Sequence, residues 1–407
     1  MSVGVKKQKI LSNTAFTIGG ALLMNGFLQV VIYPLLHRYM GSEQLGNLLY
    51  IMGLAAIVCP SVGQALNTNR LVVRRDAAVS NGDYNRLLLL FGGIGTILSL
   101  VIAVVTEGNN SPVQLLMAAV LIMVTAFRYY GDVEYRLNLN YRNYFIYYCI
   151  LTAGYGIGYL LYLLTGIWYL IFLTGEIAAL FYLAVTGSVF GEFWKKSPFF
   201  IQAFRRGGFL LFSYLITNLT MNIDRLVLKN QIGSEAVTQY YVVSLIGKTL
   251  VLLVAPVNTI LISYLTRREE NLNRKQFLQF TAAGFGVAAA FFAATQVGTP
   301  LFVWLFYRGL FDTVRPIMTI VNLGQVLGLY SVYLFMVVLT FTKETWQVVL
   351  QVLHLVLIGI LTLLWTKRTG MEGFCRAVLA ANAVRVAAVV VLGVFKAENE
   401  RGQVIEK

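Results

Sequence analysis

Residues Phe209–Glu269, FLLFSYLITNLTMNIDRLVLKNQIGSEAVTQYYVVSLIGKTLVLLVAPVNTILISYLTRRE, hold two apolar segments joined by a short turn at Ile232-Gly233-Ser234-Glu235. Asp224 and Arg225 interrupt the first segment and Lys248 the second. A charge at membrane depth is costly and usually faces water or a partner, which makes these three residues functional candidates. The design recurs near the N-terminus. There Gly41-Ser42-Glu43-Gln44-Leu45-Gly46 separates two apolar segments, the second holding Pro60 and ending in Arg74-Arg75. The later copy runs through Gly233-Ser234-Glu235-Ala236-Val237, then Pro256, then Arg267-Arg268. The chain reads as two related halves.

The class follows from composition. Of 407 residues, 58% are hydrophobic and 12% charged, with a mean hydropathy of +0.71; soluble domains carry roughly 25% charged residues. Apolar runs of about 20 residues recur throughout, the length of a membrane-crossing helix. The shorter alternating segments of a membrane barrel are absent. The reading is an all-α polytopic membrane protein. Its net charge of +14 is concentrated in certain loops, which signals topology rather than nucleic-acid binding. Cys59, Cys149 and Cys375 sit in or beside apolar runs without CxxC spacing, and His37 and His354 are far apart, so neither disulfide nor metal is expected.

In chain order, about twelve spans emerge. Basic loops at 67–86, 136–142, 191–208 and 267–275 alternate with basic-poor ones, which places both termini and the basic loops in the cytoplasm. Arg308, Arg315, Lys367 and Arg368 fall in expected outer turns, against that rule. Residues 1–199 form a first six-helix bundle, 200–395 a second, and 396–407 a polar cytoplasmic tail. An even number of spans in each half gives both the same orientation, the parallel-repeat arrangement of one class of transporters.

No connecting segment is long enough for a soluble catalytic domain. GxSxG, HExxH and a phosphate loop with its Lys are all missing, so the chain does not read as an enzyme.

The candidate site residues are those that membrane burial makes expensive. Arg225, Lys248 and Arg385 would form a cationic cavity for an anionic group such as a diphosphate, because paired hydrogen bonds let Arg grip phosphate oxygens; alternatively, Arg225 would pair with a carboxylate from another span. Arg128 reads as snorkelling to the interface. Glu176 and Asp224 either neutralise a buried cation or carry a coupling ion. Asn25, Gln29, Gln64, Asn67, Asn218, Asn222 and Asn258 place amides in matching spans, fit for a wet cavity or for helix–helix hydrogen bonds. Pro60 and Pro256 interrupt spans two and eight, a device suited to gating.

The opening NTAFTIGGALLMNGFLQVVIYPLLHRYMGSEQLGNLLYIMGL and the midpoint NIDRLVLKNQIGSEAVTQYYVVSLIGKTL resemble the two repeat starts of bacterial polysaccharide flippases. These belong to the multidrug/oligosaccharidyl-lipid/polysaccharide exporter superfamily. Arg38, Gly41, Glu43 and Gly46 match its first-half turn, with Leu45 where the family has an aromatic. Asp224, Arg225, Gly233, Glu235, Val237 and Tyr240 match its second. The resemblance implies two six-helix bundles around a central cavity that alternates its access. The implied cargo is an undecaprenyl-diphosphate-linked oligosaccharide repeat unit, flipped from the cytoplasmic to the outer leaflet of the bacterial inner membrane for surface polysaccharide. Arg225 and Lys248 would hold the diphosphate, Asn218, Asn222 and Asn258 would contact sugar or water, and Asp224 would orient or neutralise Arg225. Implied partners are membrane lipid and the polysaccharide polymerase machinery; no cofactor and no nucleic acid are implied. The alternatives are a multidrug or organic-cation antiporter of the same superfamily and a membrane ligase or polymerase.

Overall fold

A computed structural model describes the backbone of residues 3–73, 79–107, 111–265, 272–343 and 345–403, and the side chains of 15–73, 79–106, 111–250, 265, 272–343 and 345–397. The described residues are helical, with no strand. Eight helical stretches are long and apolar enough to cross a membrane. Two are broken internally, one at Gly41 (φ 77°, ψ 178°) and one at Thr369 and Gly370 (φ 61°). Each break makes two helices, and with Phe200–Gln231 and Ser234–Leu265, 32 residues each, the described residues hold twelve helices of 18 residues or more, besides the short Val133–Leu137. We label them α1 (3–40), α2 (42–73), α3 (Asn81–Glu107), α4 (Pro112–Gly131), α5 (Tyr141–Thr165), α6 (Tyr169–Thr186), α7 (Phe200–Gln231), α8 (Ser234–Leu265), α9 (Arg274–Phe306), α10 (Phe311–Leu339), α11 (345–368) and α12 (371–403). The fold is all-α and polytopic.

Local chemistry sets the ends. Ser111 caps α4 in a reciprocal box with Gln114, with Pro112 in the first turn, where its missing N–H costs nothing. Asn273 and Gln276 repeat the box at α9. Gly166, in the left-handed region at φ 72°, closes α5. The sequence suggests a turn over residues 37–44, but helix persists through Met40 and the bend is confined to Gly41, because one left-handed glycine is sufficient. In α1 a π-turn at Leu28–Ile32 precedes Pro34; the Tyr33 N–H donates to the Leu28 carbonyl, which absorbs the register that the proline disturbs. Helix α2 stays helical through Pro60.

The chain divides into two compact units, Met1–Gly41 with Leu48–Asn222, and Ser42–Asn47 with Ile223–Lys407. Helix α7 is shared in sequence, its first 23 residues (200–222) counted with the first unit. In the first unit α5 and α6 approach closely at glycines: a Cβ on Gly158 would lie 2.6 Å from the carbonyl oxygens of Leu170 and Ile171, and one on Gly154 2.5 Å from the Cα of Gly175. Small residues let membrane helices meet backbone to backbone. The second unit has a core of Phe277, Leu334, Phe335, Val337, Val338 and Val389.

Within that second unit the two GSE turns pack on each other. Thr238 Oγ1 donates to the Ser42 carbonyl at 2.7 Å, and Lys229 Nζ donates to Ser234 Oγ at 2.7 Å and to Asn47 Oδ1. A Cβ on Gly46 would sit 1.8 Å from the Ser234 carbonyl oxygen. Gly46→Val therefore forces two backbones apart. Thermal unfolding of the purified protein should show a loss of about 3 kcal/mol or more; an unchanged midpoint would mean that this contact does not form.

Candidate functional site

Asp224, Arg225 and Lys248, the charged residues inside the apolar segments of 209–269, assemble in the second unit. Asp224 on α7 and Lys248 on α8 form an ion pair at 2.7 Å, their side chains 7% and 23% exposed. The other carboxylate oxygen, Asp224 Oδ1, is buried and has no hydrogen-bond partner among the described residues. Arg225, half-buried, places its guanidinium carbon 5.5 Å from the centre of the Tyr241 ring and lies within electrostatic range of Lys248. Tyr240, close enough to Asp224 to feel its charge, accepts from Gln325 Nε2 at 3.1 Å and meets Phe374 edge-on at 5.0 Å. Asp224 thus serves Lys248 rather than Arg225, contrary to the expectation from their adjacency. Neighbours in a helix point about 100° apart, so a residue cannot easily pair with the next one. The cluster thus brings two cations, Arg225 and Lys248, beside the carboxylate of Asp224.

Arg385, on α12, belongs to a different polar group. His354 Nε2 and Asn382 Oδ1 are 3.1 Å apart, Asn382 Nδ2 donates to the Gly324 carbonyl at 2.9 Å, and Arg385 lies within electrostatic range of His354. Arg385 Nε is buried without a hydrogen-bond partner among the described residues. The side chains of Pro256 and Asn258 lie outside the described residues. A third polar group, in which Thr299 Oγ1 donates to Asn322 Oδ1 at 3.0 Å and Asn322 Nδ2 to the Thr295 carbonyl at 3.2 Å, was not anticipated. Pro300 lies beside it in α9, but the carbonyl that the proline leaves without its helical donor is that of Gln296, one residue further on than the Thr295 carbonyl that Asn322 bonds.

The remaining candidates fall in the first unit. Asn218 Nδ2 on α7 donates to Ser61 Oγ on α2 at 2.9 Å, beside Pro60, while Ser61 Oγ donates to the Ile57 carbonyl. Asn222 and Asn25 spend an amide hydrogen within their own helices. Asn67 bridges α2 to Asp132 Oδ1 at 2.9 Å and to the Tyr129 carbonyl at 3.0 Å. Arg128 does not snorkel. Its Nε donates to Glu176 Oε2 at 2.9 Å, both side chains at most 4% exposed, with Tyr155 donating to Glu176 Oε1 at 2.9 Å and the Tyr129 ring 3.7 Å away. A buried carboxylate from α6 is a better partner than an interface several residues distant. Among the described residues no group of His, Cys, Asp and Glu is placed to hold a metal ion.

No family model matches this chain, and no curated protein matches it in sequence. Solved structures do. An inward-facing multidrug resistance transporter of the MATE family, in the MOP superfamily, superposes with a TM-score of 0.68 at 12% identity, covering 96% of each chain. Its outward-facing counterpart gives 0.63 at 13% identity over 97% of this chain and 96% of that one. The lipid II flippase MurJ, in an inward closed conformation, gives 0.66 at 14% identity over 95% of this chain and 87% of that one. The chain has the fold of these transporters. At such identities the likeness concerns the path of the backbone, so cargo must be argued from this chain's own side chains.

Proposed function

We propose that the protein is a membrane flippase that carries an undecaprenyl-diphosphate-linked oligosaccharide from the cytoplasmic to the outer leaflet of a bacterial inner membrane by alternating access. The observation that supports this reading is the cluster itself, in which Lys248 pairs with a largely buried Asp224 at 2.7 Å and Arg225 lies within electrostatic range of Lys248. A cationic drug would be repelled there, while a diphosphate would find two donors of the right charge. The apolar tail stays in lipid while the charged head crosses, which removes the need to desolvate it in hydrocarbon. In this reading Arg225 and Lys248 receive the diphosphate and Arg385 supplies a further positive charge. Asn218, Asn222 and Asn258 contact sugar or water, and Pro60 and Pro256 allow bending. Glu176 acts as the fixed counter-ion of Arg128.

The MATE likeness favours a second reading, a multidrug antiporter. Cells lacking the gene separate the two. The flippase reading expects surface polymer to be lost and lipid-linked repeat units to be held on the cytoplasmic leaflet. Normal polymer with increased sensitivity to cationic drugs would replace it with the antiporter. Repeat units that reach the outer leaflet and remain unpolymerised would point to a polymerase or ligase.

A further inference from the structure

The segment between α6 and α7 is held down while its side chains are held out. Its backbone is tied to the start of α3: Asp83 Oδ1 accepts from the Ser197 N–H at 2.9 Å, and Asn81 Nδ2 donates to the Ser188 carbonyl at 2.8 Å. Ser80 Oγ donates to the Lys195 carbonyl at 2.8 Å, and Arg86 donates to the Trp194 carbonyl. Gly82 lies so close that a Cβ would come within 2.1 Å of the Lys195 oxygen. Phe193 stacks on Phe127 at 5° between planes. Trp194, between these anchors, is 67% exposed, and Lys196 projects over the Phe200 ring at 5.0 Å.

Helix α7 continues the surface. Its packing face is Ala203, Gly207, Tyr214 and Asn218: Ala203 is 1% exposed and its carbonyl accepts from Asn69 at 2.7 Å, while Tyr214 hydrogen-bonds Thr68. The opposite face carries Ile201, Arg205, Phe209 and Phe212, the three apolar side chains 61%, 67% and 59% exposed. Arg205 stands one helical turn from both Ile201 and Phe209, exposed, without a hydrogen bond or ion pair among the described residues, and Arg206 beside it is exposed as well, within electrostatic range of Tyr84 at the start of α3. A stripe of exposed aromatic and aliphatic side chains interrupted by a cation, beside an exposed Trp and Lys, matches the boundary where acyl chains meet phosphate.

We propose that Trp194, Lys196, Arg205 and Arg206 with the stripe Ile201–Phe212 form a platform for the headgroups of anionic phospholipids. The rings and Ile201 occupy the upper acyl region, and the three basic groups reach the phosphates of the same leaflet. One observation favours anionic over zwitterionic lipid: the nearby exposed Glu192 is taken by Lys195 at 3.0 Å, and no carboxylate of the described residues pairs with Arg205 or Lys196. This inference concerns the rim of the first unit and does not depend on the cargo.

The test uses the full chain purified in detergent and offered equimolar phosphatidylglycerol and phosphatidylcholine, with bound lipids counted by native mass spectrometry. Each basic group near an anionic surface strengthens binding roughly fivefold, so Lys196→Ala/Arg205→Ala/Arg206→Ala should lower the ratio of retained phosphatidylglycerol to phosphatidylcholine at least tenfold. The charge-conserving Lys196→Arg/Arg205→Lys/Arg206→Lys should keep it. Equal ratios in wild type and the alanine variant, or a wild type that holds both lipids equally, would overturn the proposal. Should the alanine variant not fold, a second measurement decides. Nitroxide-headgroup phosphatidylglycerol should quench wild-type fluorescence more than that of Trp194→Phe, by a margin the phosphatidylcholine probe does not reproduce; equal margins refute the platform.

Discussion

Glu176→Ala is expected to destabilise the purified protein by about 3–5 kcal/mol, because it strands the Arg128 guanidinium in a site only 4% exposed. The loss has three parts: the Coulomb attraction, the charge-assisted hydrogen bond from Nε, and the partner of the Tyr155 hydroxyl. Arg128→Met/Glu176→Leu removes both charges and keeps the volume, and should recover most of that stability, since an apolar replacement no longer has two ions to desolvate. Thermal unfolding of the two variants in one detergent measures the difference. If the double variant is as unstable as the single, the pair does not act as a unit and the surrounding packing sets the cost. Transport by the folded double variant would also establish that Glu176 is structural; its abolition in a stable protein would return Glu176 to ion coupling.

Lys248→Ala and Arg225→Ala should each weaken binding of a fluorescent polyprenyl diphosphate to the purified protein by roughly ten- to a hundredfold, the scale of one charge-assisted contact. Asp224→Asn should act in the opposite direction on affinity. It frees Lys248 from the carboxylate 2.7 Å away and removes the negative charge that competes with the cargo. The same change should lower thermal stability, because it leaves a half-buried ammonium without its ion pair. This opposition, tighter binding in a weaker protein, is what distinguishes a cargo site from a structural pair. Loss of binding in all three variants, in step with stability, would remove the cluster from the cargo path.

The fold was legible because its signals are local. Apolar runs of membrane length and the GSE turns with Gly41 and Gly233 act within a few residues, and helices break at both glycines, while Gly166 and Gly370 do the same with no motif around them to mark it. Helix α7 was legible despite Asp224, Arg225 and Lys229, because the apolar run continues on both sides of the Asp224-Arg225 pair and ends at the GSE turn. Pairing within the site was less legible because it depends on helix rotation and on partners remote in sequence. Arg128 and Glu176 are 48 residues apart, and Asp224 and Lys248 are 24 apart. Sequence identified which charges were expensive. It could not tell that Asp224 turns toward Lys248, nor that Asn222 satisfies a carbonyl of its own helix while Asn218 reaches α2.

The packing of Ser42–Asn47 against Ser234 and Thr238 also fixes an order of events during synthesis. Asn47 leaves the ribosome 187 residues before Ser234, an interval of roughly 10–40 s at about 5–20 residues per second. Through that interval the tip of the first hairpin is in place while the surface that receives Gly46 does not yet exist. The first half is therefore born with a vacant socket contact, and only translation through α8 can fill it. Expressed as separate polypeptides, the two halves are therefore expected to lack this contact unless they meet in the bilayer.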